Sequence, residues 1–171
     1  ELGTTTLMVT HDPEEALLMG DRIAIMRAGK VLQEGTGADL YSRPTNAFCA
    51  TFLGETLEYR AYAESASVNT PFGPVEVKKG LIGSEVRVLV RPEAITFGSE
   101  NSGLGVNSMF VSGTLTELKE VGPSRNVTLK LHGSGFKIRL LSSWRGFPEV
   151  GCEVGMVIDT SMMFVFPAVE G

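Results

Sequence analysis

The chain changes texture near Leu57, and that change limits what it can fold into more than any other feature. Before it stand helix-start signals and a hairpin pattern. After it come short alternating segments cut by Gly, Pro, Asn and Ser. A helical period and a strand period cannot serve one regular layer. The pattern predicts an α+β chain in two parts, residues 1–54 and residues 55–171.

The first part opens on Thr4–Thr10, a β-branched, uncharged run that reads as a buried strand. His11 follows it. Asp12 then suits a helix N-cap, Pro13 the first helical position, and Glu15 the far end of a D-x-x-E capping box. Ala16, Leu17 and Met19 give that helix an apolar side. Strands Arg22–Arg27 and Val31–Gly35 flank a turn at Ala28-Gly29-Lys30, which predicts a hairpin. The stretch from Thr36 to Gly54 reads as two short helices, because Arg43-Pro44 stops the first.

The second part reads as a small all-β barrel or sandwich. "VNTPFGPVEV" is a hairpin, and "SEVRVLVRPEAITF" is a strand, a proline bend and a second strand. Gly98–Ser108 is a polar connector, and four more strand-like segments follow. Ile82–Phe97 lies over Val150–Val165 without a gap, each opened by Gly, then Glu-Val. Period two puts Val86, Val88 and Val90 on one sheet face, and Val154, Met156 and Ile158 on the matching one. This suggests two related halves, 57–98 and 109–167, although Gly-initiated strands align easily. Arg91 and Asp159 occupy matching places and could pair as ions.

Composition removes several classes. At −5 net charge with scattered Lys and Arg, a nucleic-acid partner is not expected. Cys49 and Cys152 have no metal-ligand spacing and read as buried, unpaired thiols of a reducing compartment, so no metal site is expected. The apolar run at "MMFVFPAV" falls far short of the roughly 20 residues that span a bilayer. Glu1-Leu2-Gly3 lacks the basic head of a signal peptide. Without an initial Met, the sequence reads as part of something longer. His132 in "KLHGSG" reads as a solvated turn residue, and Trp144-Arg145 as an exposed corner or a dimer contact in preference to a ligand shelf.

His11 carries the chemical question. A residue between a buried strand and a capped helix sits at the carboxyl edge of a sheet, where open α/β folds bind ligands. The helix start cannot itself grip an anion, because Asp12, Glu14 and Glu15 already answer its dipole and free N–H groups. That leaves His11 as the local group able to donate to a phosphate oxygen. Alone, a histidine in this place is more often a structural residue than a functional one.

The ordered string "TTLMVTHDPEEALLMGDRIAIMRAGKVLQEGTGADLYSRPTNAFCATFLG" resembles the end of the ATP-binding subunit of ABC importers. The H-loop histidine matches His11. The P-x-x-x-F-x-A-x-F-x-G exit matches Pro44, Phe48, Ala50, Phe52 and Gly54. From Leu57 on, the chain resembles the TOBE-type, OB-like β extension of importers for sugars, polyamines, iron, phosphonates or oxyanions, on Arg91-Pro92-Glu93 and the "MMFVFP" ending. The resemblance implies a C-terminal remnant of a P-loop α/β ATPase domain followed by that β extension. It implies that His11 is catalytic and nucleotide-binding, through contact with the ATP γ-phosphate and the attacking water.

For the intact subunit it further implies ATP and Mg2+ as cofactors, a homodimer with a second copy, and membrane permease subunits. A solute-binding protein would be reached indirectly. The location implied is cytoplasmic, on the inner face of the membrane. No G-x-x-x-x-G-K-[ST] loop and no signature motif occur in these residues, so the chain alone is expected to be inactive toward ATP. An alternative reading is a stand-alone OB-like domain that binds an oxyanion or small metabolite.

Overall fold

In a computed structural model, residues 3–99, 105 and 107–169 are described. Of the predicted connector Gly98–Ser108, residues 100–104 and 106 lie outside that set. The chain divides into two compact units, Glu1–Gly54 and Glu55–Gly171.

The first unit is a helix, a hairpin and two helices. Helix α1 (Pro13–Met19) starts on Asp12, whose side chain accepts from the amides of Glu14 and Glu15. Strands β1 (Ile23–Arg27) and β2 (Lys30–Gly35) pair through Arg27 and Lys30. The connecting loop is therefore two residues, Ala28 and Gly29, with φ of +50° and +75°. Both values are positive, as a type I′ turn requires to match the strand twist. Helix α2 (Gly37–Ser42) is capped by Thr36, and α3 (Ala47–Leu53) by Asn46, whose Oδ1 takes the Cys49 amide at 2.8 Å. The Gln33 amide spans the break between them, donating to the Arg43 carbonyl and accepting from the Thr45 amide, both at 2.9 Å. Ile25, Leu40, Cys49 and Leu53 form the core.

One expectation fails in this unit. Thr4–Thr10 is not a strand, and its apolar side chains are not buried: Leu7 is 91% and Val9 92% exposed. Sequence chemistry suits the run to a sheet, but a buried strand exists only between neighbours that supply its hydrogen bonds. No described strand lies beside this one.

The second unit is the expected all-β part. Strands β3 (Leu57–Tyr62), β4 (Ser67–Thr70), β5 (Gly73–Glu76), β6 (Glu85–Val90) and β7 (Ile95–Phe97) make its first half. Strands β8 (Ser108–Val121), β9 (Ser124–Leu131), β10 (Lys137–Ser142), β11 (Glu153–Asp159) and β12 (Met163–Pro167) make its second. A five-stranded sheet runs β10-β9-β8-β11-β7, a three-stranded sheet runs β12-β6-β3, and β4 pairs with β5. All ladders are antiparallel. Val86, Val88 and Val90 from one sheet meet Leu115, Val127, Ile138, Val154, Met156 and Ile158 from the other in one core.

The halves exchange strands reciprocally. β7 leaves the first half to pair with β11, and β12 leaves the second to pair with β6. A 3-10 turn, Pro92–Ala94 or Thr160–Met162, makes the bend in each. Tyr59 opposes Val88 just as Val111 opposes Met156. Even the turn bonds repeat: Gly83 N donates to Ala63 O, and Gly151 N to Leu115 O, both at 2.7 Å.

Candidate functional site

His11 sits in a bend one residue before the N-cap of α1, and it is exposed. No described residue makes a hydrogen bond or ion pair to its ring. Local hydrogen bonds frame the bend. Thr10 Oγ1 accepts from the Asp12 amide at 3.0 Å and donates to Glu15 Oε2 at 2.7 Å. Asp12 Oδ1 accepts from Glu14 N at 2.8 Å and Glu15 N at 3.4 Å. The reciprocal capping box is thus replaced: Glu15 reaches the Thr10 hydroxyl instead of the Asp12 amide.

The first-turn amides are taken by Asp12, and two more carboxylates stand beside them. These carboxylates repel an anion approaching this end of α1, and the imidazole is the ring N–H donor that the bend offers. Donation from a ring N–H to a phosphate oxygen is the chemistry this arrangement permits. Were ATP to bind here, the residues of this bend could offer it one donor, the imidazole, and the phosphate cradle and Mg2+ ligands would have to come from other segments.

Other residues singled out in the sequence take structural places. Arg91 is fully buried, with Nη1 donating to the Glu55 carbonyl at 3.3 Å and its guanidinium 5.7 Å from the Phe164 ring. Burial pushes its pKa down from the usual value. The suggested pair with Asp159 does not form: that carboxylate caps its own 3-10 turn, accepting from Ser161 N at 2.9 Å and Ser161 Oγ at 2.7 Å. Trp144 stacks on Phe97 at 5.4 Å and meets Phe147 edge-on at 4.6 Å. The three rings pack on one another, so no open shelf results. Cys49 is buried as expected, whereas Cys152 is exposed, because it follows the positive-φ turn at Gly151.

His132 does lie in an exposed turn, but it is tied down. Its Nδ1 is 3.1 Å from Ser112 Oγ and 3.6 Å from Glu153 Oε1, and its Nε2 is 3.1 Å from Thr114 Oγ1. The sequence reading missed this cluster. Its only trace is the alternation of Ser112 and Thr114 on one strand. No group of three or more His, Cys, Asp or Glu side chains suited to a metal ion occurs among the described residues. No described helix is long and apolar enough to cross a membrane.

No family model matches the chain. It is 34% identical over 164 residues to the Fe(3+) ions import ATP-binding protein FbpC of Streptomyces coelicolor, covering 96% of this chain and 45% of that protein. To the protein of the same name from Streptomyces avermitilis it is 31% identical over 171 residues, covering 100% and 48%. To that of Yersinia pseudotuberculosis it is 33% identical over 158 residues, covering 92% and 45%. The chain spans about half the length of the curated relatives it matches. Among solved structures, it is similar to the cytoplasmic molybdate-binding protein ModG, with a TM-score of 0.48 and 18% identity over 65% of this chain and 95% of that one. Kinship with the ATP-binding subunits of ABC importers, read from the sequence, is borne out.

Proposed function

We propose that this chain, kin to the ATP-binding subunits of ABC importers, contributes the switch histidine and a regulatory β extension to such a subunit. The observation that carries the proposal is the isolation of His11: an exposed imidazole in a framed bend whose neighbouring amides are already filled. In the assembled subunit the ring donates to the terminal phosphate and orients the attacking water, a positioning role. Thr10, Asp12 and Glu15 hold the bend that aims it. ATP, bound with Mg2+, supplies the free energy of transport. The rest of that site lies on segments outside this sequence, and the isolated chain is inactive toward ATP.

Following the relatives' names, the transported cargo is ferric iron. The subunit pairs with a second copy, couples to membrane permease subunits from the cytoplasmic face, and meets the solute-binding protein only through them. A stand-alone oxyanion-binding domain would give His11 no task, and no observation favours it. The test is iron uptake by cells whose only copy of the full-length subunit carries His11→Ala. Uptake should fall to background while the subunit stays at normal abundance. Uptake at the parental rate would refute the proposal.

A further inference from the structure

The five-stranded sheet ends on β10, and the outer edge of that strand is open. Leu131 N donates to Phe136 O at 2.8 Å, which sets the alternation of the β9–β10 ladder. In an antiparallel pair, every second residue turns its backbone groups toward its neighbour. Ile138, Leu140 and Ser142 therefore bond to β9, whereas Lys137, Arg139 and Leu141 present N–H and C=O to the outside. Among the described residues, none fills them. Ile138 and Leu140 face the core, and the three outward residues are exposed, Leu141 by 56%.

The charge on this edge is unbalanced. Lys137 stands directly opposite Lys130, and neither ammonium has an ion-pair partner among the described residues. Like charges facing across a ladder destabilise it. Arg139 lies 3.6 Å from Glu117, but that carboxylate also holds Lys119 at 2.6 Å. The further carboxylates on this face among the described residues, Glu153 and Asp159, belong to the strand beyond β8; Glu153 lies by His132, and Asp159 accepts from Ser161 in its own 3-10 turn. A cationic edge thus stands out on a chain of net charge −5.

Lysine and arginine on an edge oppose pairing with a like strand. Two copies joined antiparallel along β10 would bring cation against cation, so a second copy is the wrong occupant. The described residues of β9 and β10 include no aromatic side chain on which bases could stack, which disfavours single-stranded nucleic acid along this edge. We propose that β10 is the docking edge for an extended acidic segment of a partner protein. The segment adds a strand beside Lys137–Ser142, places acidic side chains against Lys137 and Arg139, and sets an apolar one by Leu141.

Amide hydrogen exchange read by NMR tests this, using a synthetic peptide with the repeat Glu-Thr-Glu-Thr-Val as the probe. Binding should slow exchange at Lys137, Arg139 and Leu141 by about tenfold or more, and leave the already bonded Ile138 and Leu140 unchanged. The doubly substituted Lys137→Glu, Arg139→Glu protein should lose the effect while Ile138 and Leu140 keep their protection, which shows that β10 is still folded. The proposal is overturned if those three amides do not slow, or if a peptide with Lys in place of Glu slows them equally. Protection that survives the double substitution, or that arises only with an oligothymidylate or by self-association, overturns it as well.

Discussion

Ile158 stands opposite Ile95 in the ladder between β11 and β7, and the same relationship recurs between Val90 and Met163 in the ladder between β6 and β12. The gapless alignment of Ile82–Phe97 with Val150–Val165 maps each pair onto the other. Each half therefore completes its partner's sheet with its own last strand. Such an exchange makes the core common to both halves, and neither half closes without the other.

Shared packing makes the equivalent core positions sensitive in the same way. Ile158 is fully buried among residues of both sheets. Ile158→Ala should cost about 2–5 kcal/mol through lost transfer energy and the cavity left behind. Urea unfolding of the variant reads this as a lower midpoint.

Gly83 and Gly151 occupy matching turns with φ of +83° and +100°, and an added Cβ would meet nothing within 4 Å at either. Any cost of alanine there is conformational. Gly83→Ala and Gly151→Ala should each destabilise by about 1–2 kcal/mol. Gly80, equally open but without a positive φ, is the control: Gly80→Ala should be neutral or slightly stabilising. Thermal unfolding of the three variants checks the contrast.

Glu58 gives the β unit a pH dependence. Arg87, at 2.7 Å, holds its carboxyl below the usual carboxylate range; partial burial opposes this, and Arg60 at 2.9 Å assists. A folded pKa below the unfolded one means that the stabilisation is present above the ordinary glutamate range. It is lost as pH falls through the depressed value. Glu58→Gln should cost about 1–2 kcal/mol near neutral pH. The difference from the parent should shrink under acid, as pH-resolved denaturation will show.

Local chemistry was legible in the sequence, and contacts between distant residues were not. The Asp12 cap, the Ala28-Gly29 turn, the break at Pro44 and the Val68–Val75 hairpin depend on residues within a few positions of each other, and they formed. Thr4–Thr10 carries every local mark of a buried strand, yet lies exposed, because strand formation depends on neighbours that local sequence does not contain. The burial of Arg91 and the ring contacts of His132 were unreadable for the same reason. A guanidinium meeting the carbonyl of Glu55 is a tertiary event, and Arg-Pro-Glu as a string says only that the chain bends. His11 was singled out by its place between two patterns, of which the structure forms the capped helix and not the strand, and its solvent exposure is what the structure adds.

The most direct test of the account is steady-state ATP hydrolysis by the full-length subunit with His11→Ala, measured beside ATP binding to the same protein. A residue that acts on the terminal phosphate during transfer should lower kcat by about 100-fold or more while Kd for ATP stays within about threefold. Turnover at the parental rate, or a loss explained wholly by weaker ATP binding, would contradict the role assigned to this histidine.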